Sequence, residues 1–295
     1  MKKISVFAAL WLVAFSVSAQ KDPTSRAWNQ PVEPYRILGN LYYVGAADIS
    51  SYLITTPDGH ILLDGGFEET VPIIREGVRK LGFKLEDVKI LLNSHSHSDH
   101  AGGLAELKKL TGATLYASEP DAPLLARGGK GDFFLGDKLS YPPVKADRTF
   151  KDGGRVTLGG VTMTARLTPG HTPGNTSWTM KVTDGGKSYD VVFVGSATIL
   201  SGVVLTGNPK YPKLAEDWAT SFRVLKSLPC DVFLASHPNF YAGVDKAARL
   251  AKGETPNPFI DPKGYRAYVE KAEKRYLDQL RKEKEAAAKG SLPPA

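Results

Sequence analysis

The stretch that decides how this chain is read runs Val88-Lys89-Ile90-Leu91-Leu92-Asn93-Ser94-His95-Ser96-His97-Ser98-Asp99-His100. Val88 to Leu92 is a short apolar run of the length of a buried strand. Gly102 and Gly103 follow, and Leu104 to Leu110 has the apolar spacing of a helix. Three histidines and a carboxylate therefore sit where a strand ends and a helix begins, the edge at which open α/β sheets present ligands. His95 and His97, two apart in extended chain, point to one side. A bend at Ser98 brings Asp99 and His100 to a second point nearby. A lone histidine is ordinarily a surface or core residue, but composition rarely puts four ligand side chains into six positions. Imidazole with carboxylate is a donor set that suits zinc, and one loop of this kind can serve two neighbouring cations.

Outward from that loop the chain alternates strands and helices. Upstream, Ile37, Leu41 to Val44 and Tyr52 to Ile54 read as strands, and Thr56-Pro57-Asp58-Gly59 as a turn. Ile61 to Leu63 is a strand ending at Asp64, a carboxylate suited either to hold the far nitrogen of a ligand histidine or to cap the turn. His60, beside the turn, reads as exposed and without a role. Val71 to Leu81 has helical periodicity and stops at Gly82. Residues 20–34 are polar and broken by proline, an N-terminal arm.

Downstream, Thr114 to Ala117 is a strand. Residues 119–148 are rich in Gly, Pro and Asp, and so long an irregular segment reads as a flap over the site, the alternative being a solvent-exposed loop packed by its own aromatics Phe133 and Phe134. Strands are expected over Val156 to Leu167, interrupted at Gly159-Gly160, and then over Ser177 to Val182 and Val191 to Val194. Between them, His171 is held in the turn Thr168-Pro169-Gly170-His171-Thr172-Pro173-Gly174. Ser196 and Thr198 follow the last of these strands. A helix over Leu214 to Leu228 precedes the strand Asp231 to Ala235, which ends at Ser236-His237-Pro238. Residues 265–288 form an amphipathic helix, with Tyr265, Tyr268, Val269, Ala272, Tyr276 and Leu280 near one face. Five of the six histidines lie at strand ends or in turns, which makes His171 and His237 ligand candidates alongside the loop.

Composition sets the outer bounds. The chain has 295 residues, 42% hydrophobic and 23% charged, which is ordinary for a globular α/β protein. Met1-Lys2-Lys3, an apolar run to Phe15 and then Val17-Ser18-Ala19 have the three parts of a secretory signal peptide, with cleavage expected after Ala19. Residues 1–19 are then removed, and residues 20–295 are expected to be one domain, periplasmic and free of the membrane. Losing Lys2 and Lys3 lowers the formal charge from +7 to +5, which mildly favours small anions. No dense basic stripe with interleaved aromatics marks a nucleic-acid surface. The partner expected is a small molecule, and the protein is expected to be a monomer. The single cysteine, Cys230, cannot close an internal disulfide and reads as a buried, inert thiol.

The motif His-x-His-x-Asp-His at 95–100, then Gly170-His171 in a turn and His237 at a late strand end, resembles the metallo-β-lactamase family over roughly Tyr35 to His237. The resemblance implies an α/β fold, an αββα four-layer sandwich with the metals at one edge between two sheets. Ser196 distinguishes among members: thioesterase, lactonase and RNA-processing relatives carry an aspartate there, and two β-lactamase subclasses a cysteine. Serine resembles the third subclass, in which His100 replaces the cysteine ligand. Leu92-Asn93-Ser94-His95 and Asn208-Pro209-Lys210-Tyr211-Pro212 also look like that subclass. Some of its members have a C-terminal disulfide that this chain, with Cys230 alone, lacks. Carried over residue by residue, the likeness implies two zinc ions, one on His95, His97 and His171 and one on Asp99, His100 and His237, about 3.5–4 Å apart with a shared hydroxide. The implied activity is hydrolysis of the β-lactam ring of penicillins, cephalosporins and carbapenems. That hydroxide would attack the ring carbonyl, Asp99 would help orient it, and Ser196 and Thr198 are candidates for binding the substrate carboxylate, with a purely structural polar role the alternative for Thr198. The alternative is a lactone or thioester hydrolase of the same fold.

Overall fold

The computed structural model describes residues 23–289, and the expected signal peptide lies outside them. Two mixed sheets stand face to face. The first is built in chain order from β1 (Tyr35–Leu38), β2 (Leu41–Tyr43), β3 (Tyr52–Thr56), β4 (Gly59–Leu63), β5 (Val88–Leu92), β6 (Thr114–Ser118) and β7 (Arg148–Phe150). It begins as antiparallel hairpins and becomes parallel from β4 onward. The second has β8 (Arg155–Leu158), β9 (Val161–Leu167), β10 (Thr176–Asp184), β11 (Lys187–Val194) and β12 (Val232–Ala235), adjacent in that order. Only β11 and β12 run parallel there.

Each switch to parallel pairing needs a crossover, and the helices supply it. In chain order they are α1 (Pro23–Trp28), α2 (Val71–Lys80), α3 (Ser98–Ala101), α4 (Leu104–Thr111), α5 (Ala122–Ala126), α6 (Leu214–Ser227), α7 (Gly243–Ala251) and α8 (Pro262–Ala288). Ile61, Leu63, Ile90 and Leu92 of β4 and β5 share the core between the sheets with Trp178, Met180 and Phe193 of the second sheet. Leu62 and Leu91, pointing the other way, pack on Ile74, Val78, Leu104 and Leu107 of α2 and α4. Burial on both faces explains why Ile61 to Leu63 and Ile90 to Leu92 are continuous apolar runs instead of alternating. On the far side α6 and α8 cover the second sheet through Trp218, Phe222, Leu225, Val269 and Tyr276, which completes the αββα sandwich. Among the described residues no helix is long and apolar enough to cross a membrane.

Most elements lie within a residue or two of their expected bounds. Three differences matter for the site. His60 is not exposed: it is buried, with its ring edge-on to Phe83 at 5.2 Å. The arm at 20–34 contains α1, whose Trp28 packs edge-on against His237 at 5.3 Å. The segment 119–148 holds α5 and is pinned where the Tyr141 hydroxyl donates to the Ser96 carbonyl at 2.6 Å. A second tie fastens the loop after β11. Glu283 on α8 accepts the backbone N–H groups of Leu205 and Thr206, at 2.9 Å each, and the Thr206 hydroxyl at 3.0 Å. Gln279, one turn earlier, donates to the Val203 carbonyl at 2.7 Å. Cys230 is partly buried, and burial pushes its thiol up to about 12, so it stays protonated and inert.

Candidate metal centre

The ends of the parallel strands deliver the site. β4 ends at Asp64, in the left-handed region at φ 64°, and its carboxylate gathers the residues that follow β5. One oxygen accepts the Ser94 N–H at 2.7 Å and the Asn93 side-chain amide at 3.2 Å; the other accepts the Ser94 hydroxyl at 2.6 Å. The chain after β4 then crosses the start of α4 backbone to backbone. The Gly65 N–H donates to the His100 carbonyl at 2.8 Å, and the Gly103 N–H to Gly66 at 3.0 Å. A side chain on Gly103 would collide with the Gly65 carbonyl, so that position requires glycine. Asp121 performs the same service between the sheets. Its carboxylate accepts Ser96 N–H at 3.0 Å, the Thr172 hydroxyl at 2.7 Å and Gly174 N–H at 2.7 Å, which locks the 95–100 loop to the turn that carries His171. Gly170 in that turn has φ 131° and lies flat on the Trp218 ring, another place where only glycine fits.

All six expected ligands converge. The Nδ1 of His97 lies 3.1 Å from the Nε2 of His171, and His95, His97 and His171 each offer a nitrogen within 4.8 Å of the others. Alongside, the Nε2 atoms of His100 and His237 are 3.2 Å apart, and the Asp99 carboxylate lies 3.3 and 3.4 Å from them. His95 joins the two groups, since it also offers a nitrogen within 4.8 Å of Asp99 and His100. Each ring is aimed from behind. His95 Nδ1 meets the Ser94 hydroxyl at 3.1 Å, His171 Nδ1 the Thr198 carbonyl at 2.7 Å, and His237 Nδ1 the Asp48 carbonyl at 2.6 Å. His100 Nδ1 lies 3.5 Å from Asp64. These four therefore turn Nε2 inward, whereas His97 turns Nδ1 inward and Nε2 towards Asp132 at 3.5 Å.

A metal fits this arrangement on the structure's own terms. Nitrogen atoms facing one another at 3.1–3.2 Å do not satisfy each other unless one keeps a proton. The inward Nε2 of His95 is buried with no hydrogen-bond partner, a costly state for a polar atom that a metal would relieve. Burial and the neighbouring imidazoles hold His95 well below the usual histidine range and push His171 down to about 3, so both are neutral donors at pH 7. Burial also pulls His100 down, but the carboxylates of Asp99 and Asp64 outweigh it and hold it up at about 10. Burial raises Asp99, yet His100 and His237 outweigh it and leave it ionised.

The centre opens into a cleft of about 390 Å³. His97, Asp99, His171, His237, Ser196 and Thr198 form its floor, and Trp28, Phe67, Leu135, Leu139, Leu200 and Phe240 its apolar walls. Ser196 and Thr198 are thus at the site, Ser196 accepting the Thr198 N–H at 3.3 Å. Asp64 combines the two roles its strand-end position allowed: it lies behind His100 and, through the Ser94 hydroxyl, His95, and it holds the turn by accepting the Ser94 N–H. Asp48, Asp121, Asp132, Tyr141 and Trp28 were not singled out from sequence. All act from loops or the arm, where no periodicity marks a residue.

The sequence profile of the metallo-beta-lactamase superfamily matches residues 44–237. Among solved structures, the chain is similar to the native FEZ-1 metallo-beta-lactamase from Legionella gormanii, at 44% identity and a TM-score of 0.85, over 87% of this chain and 98% of that one. It is similar to BJP-1, a subclass B3 metallo-beta-lactamase of Bradyrhizobium japonicum, at 41% identity and a TM-score of 0.82, over 89% and 98%. More distant curated relatives include an N-acyl homoserine lactonase of Azorhizobium caulinodans, 30% identical over 46% of this chain and 60% of the relative. A hydroxyacylglutathione hydrolase of Rhodopseudomonas palustris is 28% identical over 70% and 72%.

Proposed function

This chain belongs to the metallo-beta-lactamase superfamily, and from that premise we propose that it is an exported zinc hydrolase that opens the β-lactam ring of antibiotics. The observation that carries the reading is the likeness to solved β-lactamases along nearly their whole length, with six metal-ligand side chains intact and convergent. His95, His97 and His171 would hold one zinc and Asp99, His100 and His237 a second. Bound zinc supplies a Lewis acid and lowers the pKa of a coordinated water to about 7.

The reaction adds one water across the ring C–N bond: the hydroxyl goes to the carbonyl carbon and the proton to the departing nitrogen. Asp99, ionised and on the cleft floor, is placed to orient the attacking water by its Oδ2. The Ser196 hydroxyl and Thr198 are candidates for the substrate's carboxylate, a group the positive net charge also favours. The apolar walls would take the ring substituents and exclude water from the reacting face. The substrate range proposed is penicillins, cephalosporins and carbapenems, and the working protein is proposed to be a periplasmic monomer of residues 20–295.

The second reading, a lactone or thioester hydrolase, has the support of the distant curated relatives. Ser196 counts against it, because the resemblance read from the sequence implies an aspartate at that strand end in lactonases and thioesterases. One experiment separates the two. Purified protein is assayed on a chromogenic cephalosporin, an N-acyl homoserine lactone and a glutathione thioester, before and after chelation. Cephalosporin hydrolysis that chelation abolishes and zinc restores supports the proposal. Turnover of the lactone or thioester with the cephalosporin untouched overturns it, as does activity indifferent to the chelator. Export is checked by mass spectrometry of the periplasmic fraction, where a mature chain beginning at Gln20 is expected.

A further inference from the structure

Asp132 lies in the middle of the segment 119–148, far in sequence from every ligand, yet it is 4% exposed and faces the centre. Its Oδ2 and the Nε2 of His97 are 3.5 Å apart, a small rotation of the ring short of a hydrogen bond, and neither atom has another partner. Two unpartnered buried polar atoms that face each other are a pair waiting to close, since leaving both unpaired carries the desolvation penalty twice. The other oxygen of the same carboxylate is fully used. It accepts the backbone N–H groups of Phe134 and Leu135 at 2.8 and 2.6 Å, and the turn is closed by paired backbone bonds between Asp132 and Gly136. That turn sets the pocket wall: Leu135 lines the cleft, and the Phe133 ring packs edge-on to Tyr211 at 5.0 Å.

We infer that Asp132 is a positioning residue with two duties: it accepts the Nε2–H of His97, which fixes the tautomer whose Nδ1 faces the metal, and it ties that ligand to the wall of the cleft. His97 is the one ligand histidine turned the opposite way from the other four, so it needs a partner on its Nε2 side that they do not. A carboxylate there does more than aim the ring, because it also raises the basicity of the ligating nitrogen. Metal binding and loop order are coupled through one side chain: a ring drawn onto a cation pulls on Oδ2, and Oδ1 carries the turn with it. The inference rests on reading the histidine trio as a metal site and is indifferent to the substrate.

The test is zinc binding in competition with a chromophoric chelator, for the parent, Asp132→Asn and Asp132→Ala. Asparagine keeps an oxygen for the Phe134 and Leu135 N–H groups but sets an NH2 against the Nε2–H of His97. Asp132→Asn is expected to bind zinc about 10- to 100-fold more weakly than the parent, with its metal-free melting temperature unchanged. Zinc is expected to slow hydrogen exchange across residues 131–139 in the parent and not in Asp132→Asn. Parental zinc affinity in Asp132→Asn overturns the inference, as does zinc-dependent exchange protection that survives the substitution. A parent that fails to bind zinc removes the metal reading and this inference with it, which the chelator titration of the parent alone reveals. Should Asp132→Ala fail to fold, Asp132→Asn decides.

Discussion

The two trios at the sheet edge are made of opposite electrostatic materials. His95, His97 and His171 come from two separate stretches, and burial strips the proton from His95 and His171. Asp99, His100 and His237 form an ionic cluster, in which Asp99 and Asp64 keep His100 protonated up to about 10. Neutral donors can accept a cation at once, whereas the second trio must first lose a proton. The 95–100 loop thus contributes to one trio in which His95 and His171 are neutral at pH 7 and to a second that a cation has to compete for.

Breaking the first trio should have the largest effect. His171→Ala leaves His95 and His97 without their third donor, and hydrolysis should fall on the order of 10³-fold, measured as kcat/KM on a chromogenic cephalosporin. A loss of tenfold or less would mean that the second trio alone can run the reaction.

pH sharpens the contrast next. The unfolded chain binds a proton at a free histidine near 6.5, but folded His171 does so only near 3. Metal-free stability should therefore fall as pH drops from 6.5 towards 3. His100 has the opposite sign: its contribution is whole below 6.5 and is lost as pH rises to about 10. Melting temperatures of the chelated protein should accordingly peak near neutrality. His100→Asn should flatten the alkaline limb. A single monotonic profile would break the comparison.

Asp64→Asn should have a smaller effect. It weakens the support of both His100 and, through Ser94, His95, so zinc affinity should drop about tenfold by chelator competition. The smallest effect is expected at the cleft wall. Leu139 is 46% exposed and touches no ligand, so Leu139→Ala should raise KM by roughly two- to fivefold and leave kcat and the melting temperature alone.

The cluster of candidate ligands was legible in sequence because the chemistry is dense: four donors in six residues at the end of an apolar run announce themselves, and His171 and His237 gain weight from them. The cores of β4, β5, β11 and β12 were legible because Ile61 to Leu63, Ile90 to Leu92, Val191 to Val194 and Val232 to Ala235 are buried on both faces and read as unbroken apolar runs, whereas the polar start of β11, Lys187 to Asp190, left no such mark. Asp64 was half-legible, being a carboxylate at a strand end. Asp121 and Asp132 were not, because each is one acid among many in a Gly- and Pro-rich stretch, and only the fold shows that it is buried. His60 misled for a related reason: it stands next to a turn, and a turn says nothing about Phe83 arriving from 23 positions further along the chain. Trp28 lay in an arm whose composition gave no hint that it would reach His237.

Glu283 stands on a helix whose outer face is charged and solvated, yet its carboxylate is the strut on which the chain between Val203 and Thr206 leans. Leu200 and Thr198, a few residues upstream, help to shape the cleft. A change on the last helix that any distance rule would score as remote therefore alters how the catalytic mouth is braced. Variation in substrate preference among close relatives of this chain deserves to be sought there as much as among residues that touch the ligand.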